Sequence, residues 1–222
     1  MLRREFAALS SPAGMRGTGS KTLVVKDAFV PEHRIESVPA LMTLTSAGGG
    51  LYPDSQIYHV PFIYVFASCF SAVSLGIAER MIELYTERTQ TRVRAYTGAK
   101  VGQSIPACMR LAESTHQVAA GRAFLEKTWE DMRAHAESHE YPDPTKMAFW
   151  RTNQAYAVKM FVAAVDRLFE ASGGSAWFDD AEAQRLFRNS HMTAAHAYTD
   201  YDICAQILGR ALMGLEPDPS LF

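Results

Sequence analysis

From residue 63 to residue 213 apolar side chains recur at three- and four-residue spacing, in runs far too long for strands and cut only by Gly and Pro. The first run, Ile63 to about Arg94, places Val65, Phe66, Phe70, Val73, Ile77, Met81, Leu84 and Tyr85 on a stripe and breaks near Gly98. A second, Pro106 to His139, carries Leu111, Val118, Phe124, Leu125, Trp129 and Met132. A third begins at Asp143-Pro144, a capping residue followed by a first-turn proline, and ends at Ser172-Gly173-Gly174. A short helix over Ala181–Phe187 and a long one over Met192–Met213 complete the set, and Pro217 and Pro219 cannot continue it. Helices of about 20 to 35 residues span roughly 30 to 50 Å and, joined by short loops, settle as an antiparallel bundle.

The front of the chain follows another period. Gly14-Met-Arg-Gly-Thr-Gly-Ser-Lys21 is glycine-rich, but Ser20 separates the last glycine from Lys21, and β-branched Thr22–Val30 follows instead of a helix. The stretch therefore reads as a tight turn entering a strand, and a phosphate loop is excluded. One strand or two are not stable without further partners, so residues 1–45 read either as the tail of a missing sheet or as strands that borrow edges from another chain. Residues 46–63 read as a loop, 64–215 as the helical bundle and 216–222 as a tail.

Composition narrows the partners. Lys+Arg 22 against Asp+Glu 24 leaves a formal charge of -2 with no basic block, which argues against nucleic acid. No uninterrupted apolar run reaches the ~18 residues of a membrane span, and Met1–Gly14 lacks the apolar stretch of a signal peptide. Cys69, Cys108 and Cys204 lie far apart in apolar helical patterns, so reduced, buried thiols and a cytoplasmic location are expected.

Four stretches resemble one family as a set: residues 14–34 (GMRGTGSKTLVVKDAFVPEHR), 61–80 (PFIYVFASCFSAVSLGIAER), 168–178 (LFEASGGSAWF) and 186–202 (LFRNSHMTAAHAYTDYD). The chain resembles the C-terminal part of the acyl-CoA dehydrogenase superfamily, and more closely its flavin-dependent monooxygenase branch. That branch includes oxygenase components of two-component hydroxylases acting on phenols, and the dibenzothiophene monooxygenases. The resemblance implies a mainly α fold, an acyl-CoA dehydrogenase-like C-terminal antiparallel four-helix bundle, in a longer protein with an N-terminal helical domain and a middle β-domain. This chain is accordingly read as shortened.

The resemblance also implies the chemistry. A partner flavin reductase supplies reduced flavin (FMN or FAD), molecular oxygen adds to it as a C4a-hydroperoxide, and a small aromatic or phenolic substrate is hydroxylated. His196 matches the histidine that lies over the flavin ring, where imidazole can donate a hydrogen bond or move a proton near neutral pH. Arg94 stands before Thr97-Gly98 with the spacing of an Arg-x-x-Phe-Gly element that reaches the flavin of a neighbouring subunit. Ser172, Gly173 and Gly174 match a turn that approaches the same cofactor, although Phe169 replaces the dehydrogenases' glutamine. Tyr58, His59, Phe62 and Phe66 are read as a substrate wall. No metal site is expected, because His116, His135 and His139 fall on a polar face and His191 does not share a face with His196.

Two other readings stay open. An acyl-CoA dehydrogenase-type oxidoreductase needs a carboxylate base, yet His196-Ala197 stands where the family's Tyr-Glu would, and nothing singles out Glu79, Glu83 or Glu170. Alternatively the chain is an inactive helical oligomerisation fragment, since bundles of this family associate as homotetramers through their C-terminal helices.

Overall fold

Asp143 begins the helix on which the others pack. Its carboxylate accepts from the backbone N–H groups of Thr145 (2.8 Å) and Lys146 (3.3 Å), and Pro144 fills the first turn, where its missing N–H has no helical partner to lose. The computed structural model describes residues 6–7, 12–18, 22–23 and 25–216. Its helices are α1 (Val38–Met42), α2 (Ala47–Leu51), α3 (Phe62–Thr91), α4 (Ile105–Ala136), α5 (Pro144–Ala171), α6 (Glu182–Ala194) and α7 (Tyr201–Leu212). Two two-residue strands, β1 (Phe6–Ala7) and β2 (Thr22–Leu23), pair antiparallel with Phe6 opposite Leu23.

The long helices alternate in direction. Val60, Ile63 and Tyr64 at the start of α3 meet Met132 and Ala136 at the end of α4 and Trp150 near the start of α5 in one apolar cluster. The larger cluster runs up the bundle through Leu75, Met81, Leu125, Phe161, Leu168 and Leu186, joining α3, α4, α5 and α6. By length and composition alone α3 is apolar enough to cross a membrane. Here its inner face, including Ala67, Ala78 and Met81, is packed inside the bundle.

A buried polar seam fixes the pairing of α3 with α5. The Ser71 hydroxyl donates to Gln154 Oε1 at 3.2 Å, and Gln154 Nε2 donates to the Tyr64 and Trp150 carbonyls. Ser71 and Gln154 are both fully buried, so a slip of either helix strands these groups without partners.

Several expectations are corrected. Only Thr22–Leu23 of the expected Thr22–Val30 strand is paired, and Val24 lies outside the described residues. Val25, Phe29 and Val30 are exposed coil, because no further edge is there to receive their backbone groups. Residues 38–42 and 47–51, expected as extended chain and loop, are short helices. The break expected between residues 187 and 192 is absent; α6 runs on to Ala194, and α7 starts only at Tyr201. Gly14 presses on α6 so closely that a Cβ there would lie 2.4 Å from the Arg188 carbonyl oxygen. Met15 N–H donates to Asn189 Oδ1 at 2.7 Å, and Arg188 Nη1 to the Ala13 carbonyl at 2.6 Å. Residues 19–21 and 217–222, with Lys21 and the tail prolines, lie outside the described residues.

Gly121 sits where α4 crosses α5, and a Cβ there would meet Phe161 Cε1 at 2.5 Å. Phe161 is fully buried and has no room to retreat. Gly121→Val is therefore expected to lower the urea-unfolding stability by about 1–3 kcal/mol through overpacking. Gly76→Ala, in a helix with nothing within 4 Å of its new methyl, is expected to raise it by about 0.5–1 kcal/mol. Equal effects from the two substitutions would refute this packing.

Candidate functional site

Four-residue spacing stacks Phe62, Phe66 and Phe70 in a column along α3. Phe62 and Phe66 lie parallel at 5.1 Å between centroids, and Phe66 meets Phe70 edge-on at 5.3 Å. Because α6 runs against α3, with Arg80 bridging to Glu182 at 3.1 Å, stepping back along α3 to Phe70 reaches the chain just beyond the end of α6. There His196 stacks on Phe70 with centroids 3.8 Å apart and 23° between planes. Tyr198 closes the group, 5.2 Å from His196 and 5.4 Å from Phe66.

The turn that presents His196 has a local cause. The His196 carbonyl accepts from the N–H groups of Thr199 and Asp200, both at 2.8 Å, while the Thr199 hydroxyl donates to the Thr193 carbonyl. These bonds end α6, and Asp200 caps α7 by accepting from Asp202 and Ile203. His196 thus sits in a tight connection between two helices rather than inside one. Its Nδ1 accepts from the Tyr198 N–H at 3.3 Å, which in the neutral ring places the proton on Nε2. Desolvation beside the aromatic column lowers its pKa below the ordinary histidine value.

A cavity of about 340 Å³ opens beside this column, lined by Tyr58, Phe62, Phe66, Cys69, Leu41 and Leu44 among others. Three of the four expected wall residues therefore come together, and Phe66 belongs both to this cavity and to the His196 group. His59 does not join them. Its Nε2 lies 2.8 Å from the Pro53 carbonyl oxygen and its ring meets His139 edge-on at 4.0 Å.

The other expected contacts gather at the far end of α3. Arg94, Arg92 and Arg110 line a cavity of about 470 Å³ with Tyr96, Thr97 and Ala171, and no carboxylate is among its lining residues. Arg92 rather than Arg94 holds the glycine turn, donating from Nη1 to the carbonyls of Ser172 (2.7 Å) and Ala171 (3.2 Å). Gly173 has φ 74°, and a Cβ there would fall 2.2 Å from Arg92 Nη2, so both its conformation and its neighbour demand glycine. Ser172 is buried and donates back to the Leu168 carbonyl, and Gly174 opens a short 3-10 turn. The side chains of Arg94 and Arg110 make no hydrogen bond or ion pair among the described residues, which suits a site for an anionic group.

Other chemistry is occupied elsewhere. Glu79 is ion-paired to Arg122 and Glu83 to Arg80, and His191 Nε2 lies 2.8 Å from Asp166 Oδ1. No cluster that could hold a metal ion occurs among the described residues. Phe169 is buried between Trp177 and Phe187. The expectation of buried thiols holds only for Cys204; Cys69 and Cys108 are exposed, because each falls on the outer side of its helix. Phe70, Tyr198 and Arg92 were not singled out in the sequence, although Phe70 completes the column begun by Phe62 and Phe66, and Arg92 repeats Arg88 one turn on.

The chain is similar to known proteins. A family model described as acyl-CoA dehydrogenase, C-terminal domain, matches residues 68–201. The chain is 62% identical over 207 residues to the p-hydroxyphenylacetate 3-hydroxylase oxygenase component of Acinetobacter baumannii, covering 93% of this chain and 49% of that protein. It is 35% identical over 210 residues to the flavin-dependent monooxygenase oxygenase subunit HsaA of Mycobacterium tuberculosis, covering 94% and 53%. The crystal structure of 3-HSA hydroxylase from Rhodococcus sp. RHA1 superposes with a TM-score of 0.88 at 28% identity, covering 99% of this chain and 56% of that one. The chain thus spans about half the length of the curated relatives it matches. Its helices, its sequence and its match over residues 68–201 agree, and the chain belongs to the acyl-CoA dehydrogenase C-terminal domain family.

Proposed function

We propose that this chain contributes the helical part of the oxygenase component of a two-component flavin-dependent monooxygenase that hydroxylates a small aromatic or phenolic substrate. The observation that carries this reading is His196, stacked on Phe70 beside an aromatic cavity. Reduced flavin, FMN or FAD, delivered by a partner reductase, supplies the electrons that activate molecular oxygen. Phe66, Phe62 and Tyr58 hold the flat faces of the substrate, and their closeness excludes water. His196 presents the Nε2 proton as a hydrogen-bond donor. Arg94 and Arg110, beside the Ser172–Gly174 turn that Arg92 holds, bind the anionic end of the nucleotide.

One chain does not bring these two groups to the same ligand. Phe70 and Thr91 lie 21 residues apart on one helix, about 32 Å at 1.5 Å per residue. The reading therefore includes a homo-oligomer, a tetramer by family resemblance, in which His196 of one copy and Arg94 of another serve one flavin. It also includes the bundle over residues 64–215, a β-remnant over 1–45, a cytoplasmic location, and no nucleic-acid or membrane partner. A dehydrogenase is less well supported, because exposed Ala197 stands where its base would be and Glu79 and Glu83 are already ion-paired.

Three outcomes test this reading. His196→Ala is expected to bind anaerobically reduced FMN or FAD within a few-fold of wild type while forming about 10²-fold less hydroxylated product per flavin oxidised; unchanged product yield would refute the role. Arg94→Ala is expected to weaken reduced-flavin binding about tenfold, the loss of one charge-assisted contact, and dilution that separates the copies is expected to release flavin from wild type. Third, by NMR titration His196 is expected to gain its proton only below the ordinary value of ~6.5, and Phe70→Ala, which opens its ring to water, to move that transition upward. The sign for stability follows. An unfolded chain binds this proton first, so the His196 contribution is intact above ~6.5 and is lost as pH falls.

A further inference from the structure

Arg151 lies inside the bundle on α5, only 4% exposed, and forms no salt bridge among the described residues. A buried guanidinium without a carboxylate is costly, and a methionine would fill the same space without that cost. Of its nitrogens, Nε and Nη1 have no hydrogen-bond partner among the described residues. Nη2 donates to the Ala197 carbonyl at 3.2 Å, and the guanidinium lies 6.0 Å from the centre of the Tyr198 ring. Both targets are in the turn that carries His196.

That turn is otherwise fastened almost wholly to itself. The N–H groups of Ala195, Thr199 and Asp200 return to the carbonyls of His191 and His196, the Thr199 hydroxyl to Thr193 and His196, and the Tyr198 N–H to His196 Nδ1. Such bonds shape a turn but do not themselves tie it to the bundle. The Cys204 thiol contact to the Tyr198 carbonyl, at 3.8 Å, is weak, although α7 itself is tied to α5 where the Thr152 hydroxyl donates to the Cys204 carbonyl. Arg151 reaches it from α5, where Trp150, Thr152 and Gln154 on either side are buried and bonded.

The geometry points to Arg151 as a positioning residue: from the bundle interior it holds the Ala197–Tyr198 segment by a hydrogen bond and a cation–π contact, and so keeps the His196 ring stacked on Phe70. The planar fork suits this double task, since one edge donates while the face stays near the ring. Why His196 must be so placed rests on the monooxygenase reading; the placement itself does not.

The test therefore reads the imidazole directly. In the wild-type chain, without flavin, stacking at 3.8 Å on Phe70 is expected to shift the His196 ring protons upfield in the NMR spectrum, and Phe70→Leu assigns that shift by abolishing it. Arg151→Met is expected to remove most of the shift while cooperative thermal unfolding by circular dichroism persists, and Arg151→Lys, which keeps charge and one donor, to restore part of it. A folded Arg151→Met chain with an unchanged His196 resonance would overturn the assignment. If Arg151→Met does not fold, the wild type decides: slowly exchanging Arg151 side-chain N–H protons with cross-peaks to the Tyr198 ring support the role, and fast-exchanging protons without them reject it. Loss of flavin chemistry in His196→Ala alone leaves this result untouched, so the two readings fail separately.

Discussion

The desolvation of α5 is the constraint from which the rest of the structure follows. Its buried side chains include Trp150, Arg151, Thr152, Gln154, Val158, Phe161, Val165 and Phe169, spread over more than half of its circumference, while Phe149, Tyr156, Lys159 and Glu170 face outward. A helix covered this widely requires several neighbours, and α3, α4, α6 and α7 supply them. Most of that burial is apolar, at about 25 cal/mol per Å², and gives stability without direction. Direction comes from the few polar side chains taken inside, each of which has a partner on another element. Gln154 meets Ser71 on α3, Thr152 donates to the Cys204 carbonyl on α7 at 2.7 Å, and Trp150 Nε1 donates to Asp131 on α4 at 2.6 Å. Any other packing of the same apolar stripes leaves these groups unpaired, at about 1–3 kcal/mol each.

Register set in this way decides what meets at the candidate site. Phe70 and His196 are far apart in sequence, and neither has a local reason to seek the other. They meet because α3 and α6 are antiparallel and both are held against α5. The Arg80–Glu182 bridge marks the same register but does not set it, since exposed ion pairs contribute about 0–1 kcal/mol. The aromatic column on α3 then gives His196 a dry face, which is why its proton affinity falls although it carries no charged neighbour that would do so.

What the sequence reveals follows from how far each signal reaches. α5 is legible to the residue, because Asp143-Pro144 and Ser172-Gly173-Gly174 are caps that act within one turn. The end of α6 is not. Asn189 spends its side chain on Met15, 174 residues away, and the helix runs through it to Ala194 before Asp200 caps α7. The same limit separates Arg94 from Arg92, since which arginine reaches the glycine turn depends on how α3 ends against α5. Tyr58, Phe62 and Phe66 line one cavity, whereas His59 turns aside because a 3-10 turn over Gln56–His59 rotates it toward His139. Arg151 gives no signal at all in sequence, where a lone arginine in an amphipathic helix reads as solvated.

The placement of two anion-friendly and aromatic features at opposite ends of α3 has a mechanical consequence. A 30-residue helix clamped along its length by α5 moves as a rod. At one end Arg92 donates to the Ala171 and Ser172 carbonyls, and toward the other Gln154 bonds Ser71 and the Tyr64 carbonyl, so α3 is tied to α5 at both ends. The aromatic column and the Ser172–Gly174 turn are therefore held at a fixed separation by the same pair of helices, and buried polar bonds rather than the apolar stripes set that separation.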